Sequence, residues 1–304
     1  MKRRILLFFL FFVVLVSVEQ NTVFALVNED DDSGYKRIKQ DLLCMYMGYH
    51  DYIEGFEKSG DKIFIKFRSG NKVIYDDKIE KGFQQMLVNA DVEDSLKQLY
   101  PLQPVTKLSE QDFDPGRMRP YAFLSEIYGR NRSELSKNIV NVATRYKNYS
   151  FNRNNGAADA LKNTMNELTS FSNGSFNRFL FPGCGTYNYR VISGTGRLSP
   201  HAFGIAIDIN SDRRDYWKWC TREQGEKRIL EYPKDMVNIF EKNYFIWGGK
   251  WGHFDTLHFE YRPEIIIKAR YFTNTHNSEK WYGKLDVKNP VVEKGISLIN
   301  AAFE

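Results

Sequence analysis

Few residues of this chain could do chemistry, and those few are gathered. Five histidines occur among 304 residues, and two of them, His201 and His258, stand in segments whose pattern aims a polar group. In Ser199-Pro200-His201-Ala202-Phe203-Gly204-Ile205-Ala206-Ile207-Asp208, a strand of period two sets Ile205, Ile207 and Ile209 on one face and Gly204, Ala206 and Asp208 on the other. The second face is nearly bare and ends in a carboxylate. That leaves room for a metal and a substrate backbone beside Asp208, with His201 entering from the preceding turn. From Trp251 to Arg262, Leu257, Phe259 and Tyr261 alternate against His258, Glu260 and Arg262. Asp255, three positions before His258, falls on the opposite face of a straight strand, so a bend or bulge is expected there to bring the two together.

Two imidazoles and one carboxylate form the ligand set of a catalytic zinc site, in which a fourth position stays open for water. One zinc per chain is therefore expected, on His201, Asp208 and His258. Zinc lowers the pKa of a water toward about 7, and a nearby carboxylate then takes its proton as it attacks a carbonyl. Asp255 is the expected base. Arg190, in Tyr189-Arg190-Val191, is the candidate contact for the scissile carbonyl or the oxyanion formed from it. His253 reads as pocket wall, because a fourth protein ligand would close the site to water. His50 and His276 have no His or carboxylate partner at ligand spacing and read as surface residues. Glu260 fits equally an acceptor behind His258 or an exposed strand glutamate. Ser199 suits a cap of the turn that presents His201, and Trp247, Trp251 and Phe254 read as core rather than substrate platform.

The elements that must position these residues can be read in outline. A helix is expected over Tyr35 to Tyr49, and a hairpin from Lys62–Phe67 and Asn71–Tyr75 around Arg68-Ser69-Gly70. Apolar residues at three- and four-residue intervals predict two helices, from Leu135 to Tyr146 and through Leu161, Met165 and Leu168, with Phe151 to Ala157 as the joining loop. The stretch to Phe272 turns Gly-rich and aromatic, with β-like runs at Gly204–Ile209 and Leu257–Arg262 and a helix over Pro233–Asn243. The tail is polar until Ile296 to Phe303, which has no assignment. The fold class expected is α+β: a small, mainly antiparallel sheet carrying the zinc site, flanked by helices, with a mixed N-terminal region.

Met1 to Ala25 reads as a signal peptide, since Lys2, Arg3 and Arg4 precede an apolar run from Ile5 to Val16 and Val23-Phe24-Ala25 offers small-residue cleavage. The apolar run is short for a membrane span. The expectation is thus a secreted protein, without stable membrane insertion, and a monomer. Residues 26–33 form an acidic linker, 34–112 an N-terminal region without nameable chemistry, 113–272 the domain with the site, and 273–304 a tail. Three cysteines allow at most one internal disulfide, with Cys184 and Cys220 the pair considered, and none has thiolate-zinc spacing. The formal charge of +5 is scattered over the chain, which speaks against nucleic acid as a partner.

Ser-x-His-x-x-Gly-x-Ala-x-Asp, followed by Trp-Gly-Gly-x-Trp and Asp-x-x-His, resembles the M15 metallopeptidases, which include D-alanyl-D-alanine carboxypeptidases and L-alanyl-D-glutamate endopeptidases. The resemblance runs from about Tyr187 to Pro263. The stretches Asp114-Pro115-Gly116-Arg117 and Tyr128-Gly129 also resemble the lead-in of some exported members. It implies a hedgehog/DD-peptidase-like fold, zinc at His201, Asp208 and His258, Asp255 as general base and Arg190 as substrate or transition-state contact. Peptidoglycan stem peptides are the implied substrate. Many carboxypeptidase members carry Glu three before the last His, whereas this chain has Asp255, as the endopeptidase-like branch does. The alternative is a non-catalytic wall-binding or signalling module on the same fold, whose sign would be a missing base.

Overall fold

The computed structural model describes residues 34–183, 185–273 and 280–304. The segments read as signal peptide and acidic linker, together with His276 and Cys184 with its considered pairing to Cys220, lie outside these residues.

The described residues open with helix α1 (34–49), which is buried all round from Gln40 to Tyr46 and again at Tyr49. Three strands follow, β1 (Ile53–Ser59), β2 (Lys62–Phe67) and β3 (Lys72–Ile74), paired antiparallel in the order β1-β2-β3. Ile63, Ile65 and Phe67 of β2 alternate inward. The β2–β3 hairpin is where the sequence predicts it. Strand β1 went unread, because Glu54, Gly55 and Glu57 blur its alternation. Two short helices, α2 (Phe83–Asn89) and α3 (Val92–Leu96), come next, the second capped by Asp91, whose carboxylate accepts from Asp94 N–H at 2.9 Å.

Helices α4 (Tyr121–Tyr128) and α5 (Arg132–Asn138) lead into the antiparallel hairpin β4 (Ile139–Ala143) and β5 (Asn148–Asn152). This corrects the helix expected from Leu135 to Tyr146 and the loop expected at Phe151. The helix stops at Asn138, where the β-branched residues Ile139, Val140 and Val142 favour a pleated strand. Helix α6 (Ala157–Ser170) buries Leu161, Met165 and Leu168 as expected. The short α7 (Asn177–Leu180) and one-turn α8 (Pro200–Phe203) precede β6 (Ala206–Asp208). Then come α9 (Arg222–Glu231), α10 (Lys234–Lys242), β7 (Phe245–Trp247), β8 (His258–Tyr261), α11 (Pro263–Tyr271) and α12 (Pro290–Phe303).

Strands β6, β8 and β7 form a second antiparallel sheet in the order β6-β8-β7. Its register sets Asp208 opposite His258, Ile207 opposite Phe259 and Trp247 opposite Phe259. Directly opposed residues share a face, so Ile207, Phe259 and Trp247 line one side and Asp208 and His258 the other. Phe240 of α10 stacks on Phe259 with ring centroids 3.7 Å apart, sealing the apolar side. The unassigned apolar run of the tail lies in α12, where Gly295 leaves room for Tyr46 and Leu43 of α1 and Ile299 is fully buried. One hydrophobic cluster extends from Leu42 to Ile299. The architecture is α+β, with small antiparallel sheets and helices. No helix among the described residues is long and apolar enough to cross a membrane.

Candidate metal centre

His201 is delivered by a single helical turn. Ser199 caps it, its hydroxyl accepting from His201 N–H at 3.3 Å, Pro200 takes the first helical position, and Gly204 closes the turn at φ +70°. A side chain on Gly204 would stand 2.4 Å from Ile139 Cδ1 and 3.1 Å from Asn152 N, so the turn is pressed against the β4–β5 hairpin.

His201 Nδ1 lies 2.7 Å from the carbonyl oxygen of Thr186. A carbonyl only accepts, so Nδ1 carries a proton and donates it, while Nε2 faces Asp208 Oδ1 at 3.2 Å. His258 Nδ1 reaches the same oxygen at 2.9 Å from the opposite strand. The donor atoms of His201, Asp208 and His258 all lie within 4.8 Å of one another. His258 Nε2 stands 3.5 Å from Glu260 Oε2, an ion-pair distance too long for a hydrogen bond. Glu260 is fully buried and grips Arg119 through both carboxylate oxygens, at 2.6 to 3.0 Å, with Arg262 at 3.4 Å. The exposed-strand reading of Glu260 is thereby overturned, because its register opposite Ala206 turns it inward behind His258.

The electrostatics follow from this packing. Burial opposes ionisation of Asp208, yet hydrogen bonds from the two imidazoles hold its carboxyl far below the usual carboxylate range. Burial likewise opposes charge on His258, but Asp208 and Glu260 outweigh it and raise the imidazole to about 9. Negative charge thus surrounds the point where the three side chains meet. Two nitrogens and a carboxylate oxygen, one nitrogen freed by a backbone acceptor, fit a divalent ion such as zinc.

Asp255 sits where a bend was expected. It forms a bridge to Tyr216, donates its N–H to Gly248 O at 3.0 Å, and accepts at its carbonyl from His258 N–H at 3.1 Å. That turn brings its carboxyl into the same cleft as the three donors. Burial pushes Asp255 up to about 7, helped by the charge of Asp208 and opposed by His258 and Arg117. A bound cation would draw Asp255 back toward ionisation. Fully buried Asp215 braces the turn from behind: its carboxylate accepts from the Thr256 hydroxyl at 2.6 Å and from Arg228 Nε at 2.7 Å.

The cleft encloses about 360 Å³. Arg190 lines it from an exposed hairpin bridged at Val191 and Leu198, its carbonyl accepting from Ser199 N–H at 3.0 Å. His253 lines the wall, its ring against Asp114 at 2.9 Å, as the pocket-wall reading expects. Trp247, Trp251 and Phe254 are buried as core, although Trp251 also touches the cleft. His50 lies half-exposed beside Asp51.

Sequence reasoning gave no role to Arg117, Arg119, Tyr216 and Trp219, all of which line the same space. The signal for Arg117 was present in the Asp-Pro-Gly-Arg stretch, while nothing in sequence marks Arg119, Tyr216 or Trp219. Acidic side chains also converge around Asp77, Asp91 and Asp94, and there the ammonium of Lys81 already supplies the counter-charge at 2.7 to 3.0 Å.

No curated protein and no solved structure matches the chain. Residues 193–261 do match a family model, described as D-alanyl-D-alanine carboxypeptidase, and this stretch holds all three converging side chains together with Asp255. Over these residues the chain is similar to the M15 family of peptidases.

Proposed function

We propose that this protein is a secreted, zinc-dependent peptidase that hydrolyses an amide bond in the stem peptides of peptidoglycan, as a D-alanyl-D-alanine carboxypeptidase or an L-alanyl-D-glutamate endopeptidase. The site lies in a hedgehog/DD-peptidase-like domain over residues 113–272, with His201, Asp208 and His258 holding one zinc and a monomer as the working unit. A single observation carries the reading: two imidazole nitrogens from separate segments converge on one carboxylate oxygen, at 3.2 and 2.9 Å, inside a cleft that also contains Asp255.

A divalent ion held by these donors would supply Lewis acidity, polarising the scissile carbonyl and acidifying a water. The remaining work belongs to the chain. Asp255 takes a proton from the attacking water and returns it to the leaving amine, a role suited to a carboxyl in the same cleft whose pKa burial raises. Arg190 at the cleft mouth stabilises the negative charge that develops on the carbonyl oxygen. Thr186 and Glu260 keep the two imidazoles in the orientation the donors need.

The test is incubation of purified muropeptides with zinc-loaded protein, followed by mass spectrometry. Products lacking a terminal D-Ala indicate the carboxypeptidase, and new ends between L-Ala and D-Glu the endopeptidase. Asp255→Ala should keep its zinc and lose turnover by about 10²- to 10⁴-fold. Full activity in that variant would refute the role of Asp255, and no cleavage of any muropeptide by the wild type would refute the function.

A further inference from the structure

The turn Asp114-Pro115-Gly116-Arg117 is held on every side. The side-chain oxygen of Gln98 accepts from Asp114 N–H at 2.7 Å, the Pro115 carbonyl accepts from the Trp251 indole at 2.9 Å, and the Gly116 carbonyl accepts from fully buried Arg262 at 2.6 Å. Arg117 N–H closes the turn on Asp114 O at 2.9 Å, and the Arg117 carbonyl accepts from Arg119 at 3.1 Å. Gly116 has φ +84°, and a side chain there would stand 2.5 Å from Ile246 Cδ1. Only glycine fits. The carboxylate of Asp114, fully buried, accepts from His253 through both main chain and ring at 2.9 Å, and from Arg117 Nη1.

What this frame delivers to the cleft is one guanidinium. Three arginines line that space. Arg119 is consumed by both oxygens of Glu260, and Arg190 rides an exposed hairpin. The Arg117 side chain is only 20% exposed. Asp114 takes its Nη1, and among the described residues no other carboxylate takes Nε or Nη2. Tyr216 and Asp255 line the same cleft as Arg117.

We propose that Arg117 is a specificity-determining residue that binds a carboxylate of the substrate. The inference rests on the peptidase reading of this cleft. With the metal donors committed to one another and Arg119 to Glu260, Arg117 is the buried cation of this cleft best placed to meet a substrate carboxylate. A planar guanidinium fork, already oriented by Asp114 and shielded from water, suits a planar carboxylate and loses little freedom on binding it.

The experiment compares wild type, Arg117→Gln and Arg117→Lys, each with its zinc content and melting temperature measured. The substrates are a stem peptide with free carboxylates and the same peptide with those carboxylates amidated. Wild type should favour the free acid through KM. Arg117→Gln should raise KM for the acid roughly ten- to a hundredfold, with kcat little changed, and reduce the acid-over-amide preference by the same factor. Arg117→Lys, which keeps the charge and loses the fork, should lose part of that preference; if Arg117→Gln melts early, this variant decides alone. Retention of the wild-type preference overturns the proposal, as does an equal fall in kcat on both substrates. If wild type hydrolyses neither peptide, the peptidase reading falls with it; if it hydrolyses both and the variants keep its preference, only the role of Arg117 falls.

Discussion

The protonation state of an imidazole decides whether it can hold a metal, and here the neighbours of each ring decide it. His201 donates to Thr186 O at 2.7 Å, and His258 is backed by Glu260 at 3.5 Å. Glu260 in turn is fixed by Arg119 and Arg262. Glu260→Gln keeps the shape and removes the negative charge behind His258. It should weaken zinc affinity by about 10- to 100-fold, read by competition with a chromophoric chelator, while Asp255→Ala leaves that affinity nearly unchanged. His201→Ala should abolish stoichiometric zinc. Undiminished affinity in Glu260→Gln would mean that the 3.5 Å approach does not tune the ring.

Short elements act here as mounts for single side chains. The one turn of α8 positions His201 only because Gly204 turns left-handed against Ile139 and Asn152. Gly204→Ala is expected to destabilise the fold by about 1–3 kcal/mol in denaturant unfolding, since a Cβ both strains φ and strikes the hairpin. Arg262, at the end of β8, ties three elements together through Glu264 at 2.6 Å, Glu260 at 3.4 Å and the Gly116 carbonyl at 2.6 Å. Arg262→Met removes an ion pair from buried Glu264, which keeps only the Tyr49 hydroxyl, and from Glu260, which keeps Arg119. The expected cost is about 3–5 kcal/mol in the same measurement. A change below 1 kcal/mol would show that Glu260 and Glu264 find water or other partners.

Taken as a whole, the molecule ties residues 34–100 to the segment that carries the candidate site. The Tyr49 hydroxyl donates to Glu264 at 2.6 Å, the Tyr100 hydroxyl donates to Glu241 at 2.6 Å and accepts from Trp247 N–H at 2.9 Å, and Lys268 reaches both Asp41 and the Leu96 carbonyl at 2.6 Å. Helix α12 closes over α1 through Gly295. Residues 113–272 expressed alone would therefore expose apolar surface and leave Glu241, Glu264 and Lys268 without these partners. That fragment should show no cooperative thermal transition by calorimetry, whereas the chain from residue 34 to 304 should. A sharp transition in the fragment would show that the N-terminal region is an independent addition.

The sequence by itself determined the residue types that meet at the centre. Asp208 and His258 were legible because period-two alternation leaves each a polar group among apolar ones; His201 followed from the turn before the first run, and Asp255 with its bend from the three-residue offset to His258. It determined as well the helices at 34–49, 157–170 and 234–242, whose apolar spacing is local. Only the tertiary structure decided the fate of Ile139 to Ala143, where an apolar spacing that suits a helix yields to β-branched residues pairing with a partner strand. It alone decided that Glu260 is buried and that Arg117 enters the cleft. Both depend on partners 141 to 146 residues distant in the chain, through Arg119 to Glu260 and Arg262 to Gly116. Periodicity reports which face of an element is apolar; which distant group waits behind that face is set when the elements pack.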